Sequence, residues 1–456
     1  MTHPTTHTAP TFRRELNATG RLALPLAGAM LAQMGMGLTD TVLLGSIGRD
    51  ALAAGGLAGT MFFVITGVFQ YAIASVAILI AHARGSGDTS EITDVLRAGY
   101  VYSMLAALPL CLALWNIEPL LLWIGEPPPL TKDITAYVQV IVIGAPAALL
   151  MATKRFYLSA MNHPRIILWI AILGLIVNGF LDYGLIYGLW NLPELGYLGP
   201  AAATAIVLWL TVAMTTVAIW LTPDTRPDRV FGPINWNTFR ELMRLGWPIA
   251  VIFSVETMLF AGSALMIGTL GSTALAAHQV AIMIAATAFM VPMAIGQAAN
   301  VRIGYHLGAS MSAAARQAGI TALLLGMSVM SLSAVIIFLT PRGLALLFQL
   351  NPDVPSDADV IALVVQLLMI CALFQIFDGA QAIGAGILRG YKDTRVPMLL
   401  ATFGYWVIGF PVAWTLGFPL GLGAIGVWCG LATGLAAAAV MLCGRFFFIS
   451  RRMAVA

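Results

Sequence analysis

The feature that most constrains this chain is a series of long apolar segments. Twelve of them follow one another, each of the ~20 or more residues that a helix needs to cross a bilayer. Only 9% of the residues are charged, against about 25% in soluble domains, which excludes a soluble globular fold. We therefore predict an all-α membrane protein with twelve transmembrane helices. The segments lie at approximately 22–45, 52–81, 98–124, 134–153, 166–190, 199–222, 245–268, 274–300, 317–340, 359–388, 397–419 and 424–444.

The basic residues predict the orientation of these helices. In a twelve-helix arrangement, both termini and five alternate loops lie on one side of the membrane. That side carries all but three of the 23 lysines and arginines, the exceptions being Arg49, Lys132 and Arg342. Because Lys and Arg accumulate in cytoplasmic loops, we expect both termini to be cytoplasmic. We expect a multi-pass protein of the bacterial inner (plasma) membrane.

The chain also contains an internal repeat. Arg21–Ala54 aligns without gaps on Arg244–Ala277, and the sequence Ala-Leu-Ala-Ala at 51–54 recurs at 274–277. This predicts two homologous six-helix lobes. Since six is even, the lobes have the same orientation and are related by an axis along the membrane normal. The expected divisions are an N-terminal tail (1–20), an N-lobe (21–222), a cytoplasmic linker (223–240), a C-lobe (241–448) and a C-terminal tail (449–456).

Four acidic residues lie well inside the apolar segments: Asp40, Asp182, Glu256 and Asp378. A charge at the bilayer centre costs ~2.5–3.5 kcal/mol on insertion scales. We find no Lys or Arg at similar depth in the sequence to pair with them. Any single one of these acids is also explained by a protonated carboxyl that donates to a backbone carbonyl. Four acids without a basic partner favour a site that takes up a proton or a metal cation.

The spacing of polar residues suggests one such site in each lobe. Asn178 and Asp182 are four residues apart and share a helix face. With Asp40 on the first helix and Thr204 on the sixth, they offer the oxygen ligands that a hard cation prefers, so Na⁺ is a candidate ligand. The other lobe has its own acids, Glu256 and Asp378, on different helices.

Further residues are candidates for conformational or cavity roles. Pro25 and Pro248 lie near the starts of the first and seventh helices, where a proline permits a bend. An ordinary kink and a moving hinge both fit them. The repeat also places Gln33 opposite Glu256.

The sequence contains no motif of a soluble enzyme. It has no phosphate-binding loop ending in Gly-Lys-Ser/Thr, and its six histidines lack metal-ligand spacing. We expect neither an enzyme nor a resident cofactor, and no nucleic-acid partner.

Several motifs resemble the multidrug and toxic compound extrusion (MATE) family. They are the first-helix segment with Pro25 and the run 33–41, the run 390–395 after the tenth helix, and the pair Glu256 and Asp378, which is similar to the NorM-like branch. The resemblance implies a V-shaped pair of six-helix bundles. It also implies a cation site at Asp40, Asn178, Asp182 and Thr204, and a cation or substrate site at Glu256 and Asp378. The family's second site can include a tyrosine one turn before the tenth-helix acid, but here that position is Phe374, which lacks an oxygen.

We therefore expect a secondary active multidrug efflux transporter that exports cationic amphipathic compounds by antiport with Na⁺ or H⁺. Its partners would be small organic cations and membrane lipids, and we expect a monomer. The alternative is a flippase for a lipid-linked precursor or another small molecule, built on a related fold. A membrane-embedded enzyme would need a nucleophile and base at membrane depth, which the sequence does not offer. The substrate, the coupling ion and the number of lobes that bind it stay open.

Overall fold

In the part of the chain that the structure describes, twelve helices are long and apolar enough to cross a membrane, which confirms the predicted number. The computed structural model describes residues 11–227, 232–348 and 350–455, and no β-strand occurs within these ranges. Parts of the predicted tails (1–10 and 456) and of the predicted linker (228–231) lie outside the described residues. The helices are α1 (Phe12–Ile47), α2 (Arg49–Ser86), α3 (Thr89–Trp115), α4 (Pro128–Ala160), α5 (Pro164–Tyr187), α6 (Gly196–Leu221), α7 (Trp236–Gly268), α8 (Ser272–Gly308), α9 (Ser312–Leu339), α10 (Pro355–Gly390), α11 (Arg395–Gly417) and α12 (Gly423–Met453).

Helix α1 begins well before the first apolar segment. Its first turns include Glu15, which is fully buried. Both carboxylate oxygens of Glu15 accept hydrogen bonds from the Arg302 guanidinium, at 2.8 and 2.7 Å. This two-pronged ion pair satisfies the buried charge. The helix that starts at Phe12 lies partly within the segment predicted as a tail.

The repeat is visible in the turns between helices. Gly48 precedes α2 with φ of 156°, and Gly271, its counterpart in the repeat, precedes α8 with φ of 113°. Glycine adopts such backbone angles without the steric cost that a Cβ would add. Two short helices, Glu118–Ile124 and Pro341–Leu346, also occupy corresponding positions, after α3 and after α9. The two halves therefore share local structure beyond their matching residues.

The helices pack into two compact units. The C-terminal unit contains the chain up to Ala27, Gly85–Gly87 and the chain from Val251 onward, and the N-terminal unit contains Gly28–Arg84 and Asp88–Ala250. The division into lobes at 21–222 and 241–448 stays a prediction.

Within each unit, glycines allow close contacts between helices. In the C-terminal unit, a methyl group at Gly386 of α10 would lie 2.3 Å from the carbonyl oxygen of Gly296 on α8. In the N-terminal unit, a methyl group at Gly199 of α6 would lie 2.9 Å from the backbone nitrogen of Ile186 on α5. Small residues at such contacts let helices approach each other in a membrane, where water does not drive them together.

Candidate functional site

Four polar residues of the N-terminal unit form a connected network, which we call the N-terminal acid cluster: Asp40, Asn178, Asp182 and Thr204. The Thr204 hydroxyl donates to the Asp40 carboxylate at 3.0 Å. The Asn178 amide lies 3.3 Å from the Asp182 carboxylate and 3.4 Å from the Thr204 hydroxyl. The structure thus brings together all four residues proposed from the sequence, from helices α1, α5 and α6.

Close packing between α1 and α5 positions this cluster. A methyl group at Gly179, the residue after Asn178, would lie 3.4 Å from the Thr39 side chain, next to Asp40. A methyl group at Gly35 would lie 3.4 Å from Leu175. With glycine at both positions, the two helices approach closely enough for their polar side chains to meet. Asn178 and Asp182 are fully buried as a result.

Hydrogen bonds among the described residues do not engage every oxygen atom of the N-terminal acid cluster. The carboxyl groups of Asp40 and Asp182 lie within hydrogen-bonding reach of each other. One oxygen each of Asp40, Asn178 and Asp182 is buried and has no hydrogen-bond partner among the described residues. Two carboxylates in contact cannot both stay ionised without a compensating positive charge. The cluster can therefore hold a shared proton, or a hard cation that takes oxygen ligands.

The second pair of acids, Glu256 on α7 and Asp378 on α10, forms the C-terminal acid cluster. The Gln381 amide donates to Glu256 at 2.9 Å, and the charges of Glu256 and Asp378 are close enough to interact. The sequence predicts no Lys or Arg at the depth of the four acids, and this stays a prediction. Arg389, at the end of α10 and outside the predicted apolar segment, lies close enough for its charge to interact with that of Glu256.

The other candidates proposed from the sequence have surroundings that differ from those of the acid clusters. Phe374 is fully buried in an aromatic group, with its ring centroid 5.7 Å from that of Trp428 and 6.4 Å from that of Phe260. Pro25 and Pro248 are buried inside helices α1 and α7. The exposed Gln33 accepts a long hydrogen bond, 3.4 Å, from Arg155. These residues do not join either acid cluster through a hydrogen bond among the described contacts.

Two residues that the sequence left unassigned contribute to the clusters. Tyr137 on α4 is nearly inaccessible to solvent, and its phenol lies close enough to Asp40 and Asp182 to interact with their charges. Gln381 follows Asp378 by three residues, so the helical repeat places both on one face of α10. That spacing could have identified Gln381. Nothing in the sequence links α4 to α1 and α5, so Tyr137 could not be found this way.

The oxygen-rich chemistry of the clusters differs from that of a transition-metal centre. In the described part of the chain, no group of three or more His, Cys, Asp or Glu residues is arranged to hold a metal ion. Each cluster instead combines two carboxyl groups with neutral amide or hydroxyl side chains. These ligand types suit protons and hard cations.

Twelve membrane-spanning helices with buried acid clusters in both halves define a polytopic membrane transporter. The sequence model of the MatE family matches residues 25–184 and 248–415, which together make up most of the chain. The chain therefore belongs to the MatE family, whose members are membrane transporters rather than enzymes.

Curated relatives and solved structures agree with this family. The chain is 47% identical to the multidrug resistance protein NorM of Burkholderia vietnamiensis over 441 residues, 96% of this chain and 95% of the relative. It is 46% identical to a probable NorM protein of Burkholderia mallei over 446 residues, 96% of this chain and 93% of the relative. The crystal structure of the eukaryotic MATE transporter AtDTX14 has a similar fold, with a TM-score of 0.87, 20% identity, and coverage of 97% of this chain and 98% of that one.

Proposed function

We propose that this protein is a secondary active multidrug efflux transporter that exports cationic amphipathic compounds in exchange for inward-moving Na⁺ or H⁺. The family and the relatives named for multidrug resistance support export of drugs. The observation that carries the coupling is the N-terminal acid cluster, whose two carboxyl groups are in contact and whose buried oxygens lack partners. Such a site changes its charge when a cation enters or leaves.

In the mechanism that we propose, the drug and the coupling cation compete for the negative charge of the carboxyl groups. A cationic drug favours ionised carboxyl groups in the transporter, so drug binding promotes loss of the proton or Na⁺. Cation entry from outside then neutralises the acids and weakens the hold on the drug. For net transport, the coupling cation must bind the two conformations of the protein with different affinities. We further propose an inner-membrane location with both termini cytoplasmic, in line with the distribution of Lys and Arg.

The function is tested with purified protein in proteoliposomes loaded with a cationic dye. We expect an inward Na⁺ gradient, an inward H⁺ gradient, or both, to accelerate dye efflux, and collapse of the gradient with an ionophore to remove the acceleration. A neutral amphipathic dye of similar size is the control for leakage. If neither gradient changes the rate of dye efflux, the proposed antiport is wrong. Translocation of a fluorescent lipid-linked sugar by the same vesicles would favour a flippase.

A further inference from the structure

Helix α12 extends beyond the apolar segment that is expected to cross the membrane. That segment is expected to end at residue 444, whereas the helix continues through Met453. The additional residues, 445–453, add about 13 Å of helix at 1.5 Å per residue. The headgroup layer on each side of a bilayer is about 5–7 Å thick. We therefore expect residues 445–453, which we call the α12 extension, to lie at the level of the lipid headgroups and just beyond them.

The α12 extension carries positive charge that the described part of the chain does not neutralise. Helix α12 contains no acidic residue, but the extension contains Arg445, Arg451 and Arg452. The Arg445 Nε donates to the carboxylate of Asp393 at 3.0 Å, so this arginine is paired. Arg451 and Arg452 are exposed and form no ion pair with a described acid. Basic residues in the last turn also interact favourably with the helix dipole, so charge by itself does not identify a partner.

An exposed aromatic ring lies between two of these arginines. The centroid of the Phe448 ring is 4.7 Å from the Arg452 guanidinium and 5.8 Å from that of Arg445. Stacking of this kind holds a guanidinium in place while its N–H groups remain available to a ligand. Phe448 is half-exposed, and its neighbour Phe447 is exposed as well. The α12 extension therefore combines apolar rings with positive charge, which is typical of segments at a membrane–water interface.

We propose that the α12 extension binds an anionic phospholipid through the phosphate of its headgroup. Arg451 and Arg452 supply the positive charge, because a planar guanidinium donates paired hydrogen bonds to phosphate oxygens. The rings of Phe447 and Phe448 pack against the apolar part of the lipid next to the headgroup. Lipid is the partner that the position favours, since headgroups surround the end of a membrane-spanning helix. Binding does not depend on the proposed transport, and only its assignment to the cytoplasmic leaflet rests on the proposed orientation.

The test uses the full-length protein in phosphatidylcholine liposomes that contain a small fraction of phosphatidylglycerol with a photoreactive headgroup. After illumination, mass spectrometry of proteolytic fragments gives the yield of crosslinks to residues 445–453. We expect the double variant Arg451→Gln, Arg452→Gln to lower this yield at least about 10-fold, since each arginine near an anionic lipid surface strengthens binding about 5-fold. The matched control is Arg13→Gln, Arg14→Gln, which removes two exposed arginines at the start of α1 and should leave the yield unchanged.

Two further measurements identify the ligand. A photoreactive phosphatidylcholine should give a yield at least about 10-fold lower than phosphatidylglycerol, because it carries no net charge. Soluble glycerol 3-phosphate should not reduce the yield with phosphatidylglycerol. Competition by glycerol 3-phosphate would indicate a site for free phosphate esters and overturn the assignment to a lipid. Equal yields for the two lipids overturn the proposal, and so does a yield within twofold of wild type in the variant that lacks Arg451 and Arg452.

The aromatic ring is tested with Phe448→Leu, which keeps an apolar side chain but removes the stacking on Arg452. We expect the crosslinking yield with phosphatidylglycerol to fall about 3-fold. The matched control is Phe447→Leu, because the Phe447 ring stacks on no guanidinium among the described contacts. Its yield should equal that of wild type. If the two leucine variants give the same yield, the role assigned to Phe448 is wrong.

Discussion

Both acid clusters hold two carboxyl groups inside a membrane protein, but the residues around the carboxyl groups differ. In the N-terminal acid cluster, Asp40 and Asp182 contact each other and are linked by neutral side chains, Asn178 and Thr204. In the C-terminal acid cluster, Glu256 accepts from Gln381 and has the Arg389 charge nearby. A positive charge near an acid reduces the need of that acid for an external cation.

This difference predicts that the two clusters contribute unequally to the coupling between cation entry and drug export. The N-terminal acid cluster has no internal counter-charge among its described contacts, so cation uptake there changes the charge state of the protein most strongly. In the C-terminal acid cluster, the charge of Arg389 interacts with that of Glu256, and a nearby positive charge weakens the attraction for an entering cation. We expect the first cluster to dominate coupling and the second to adjust it. Three substitutions test this order, beginning with the largest effect.

Asp40→Asn should reduce gradient-driven dye efflux by at least about 100-fold, because it removes one of two contacting carboxyl groups from a cluster that depends on external cations. Efflux is measured in proteoliposomes at equal protein levels, with melting temperature as a check on folding. The matched control is Asp50→Asn, which neutralises an exposed acid at the start of α2 and should behave as wild type. A wild-type rate in Asp40→Asn would show that the N-terminal acid cluster does not carry the coupling.

Asp378→Asn should reduce driven efflux by about 10-fold, a smaller effect, because Glu256 keeps its hydrogen bond from Gln381. The same efflux assay is used, and Asp359→Asn, near the start of the same helix, serves as control. If Asp378→Asn reduces driven efflux as strongly as Asp40→Asn does, the proposed difference between the clusters is wrong. Both clusters would then have to bind the coupling cation.

Thr204→Val should weaken the apparent affinity for the coupling cation about 5-fold, since it removes the hydroxyl that donates to Asp40 at 3.0 Å while keeping the shape of the side chain. Thr204→Ser retains the hydroxyl and is expected to stay within twofold of wild type. The measurement is dye efflux against the concentration of the coupling cation. Equal affinities for the valine and serine variants would mean that Thr204 only fills space.

The sequence determined the architecture of this protein because the membrane imposes strong local rules. A long apolar segment that crosses a bilayer forms a helix, since its backbone groups have no water to bind and must pair within the segment. The positions of the long apolar segments therefore predicted twelve helices. Charges inside such segments are costly, and for this reason Asp40, Asp182, Glu256 and Asp378 were conspicuous. The ungapped repeat also aligns Gly48 with Gly271, and the structure places both directly before a helix with positive φ.

The tertiary structure alone decided which side chains meet. Tyr137 lies close to the N-terminal acid cluster on a helix that is distant in sequence, and a buried tyrosine has no periodic signal that distinguishes a ligand from packing. Arg389 lies outside the predicted apolar segment, yet its charge is close enough to that of Glu256 to interact. Likewise, Glu15 is polar and so was assigned to a tail, but an ion pair with Arg302 buries it in a helix. Hydropathy follows from each residue and its neighbours along the chain, whereas these contacts depend on packing between helices.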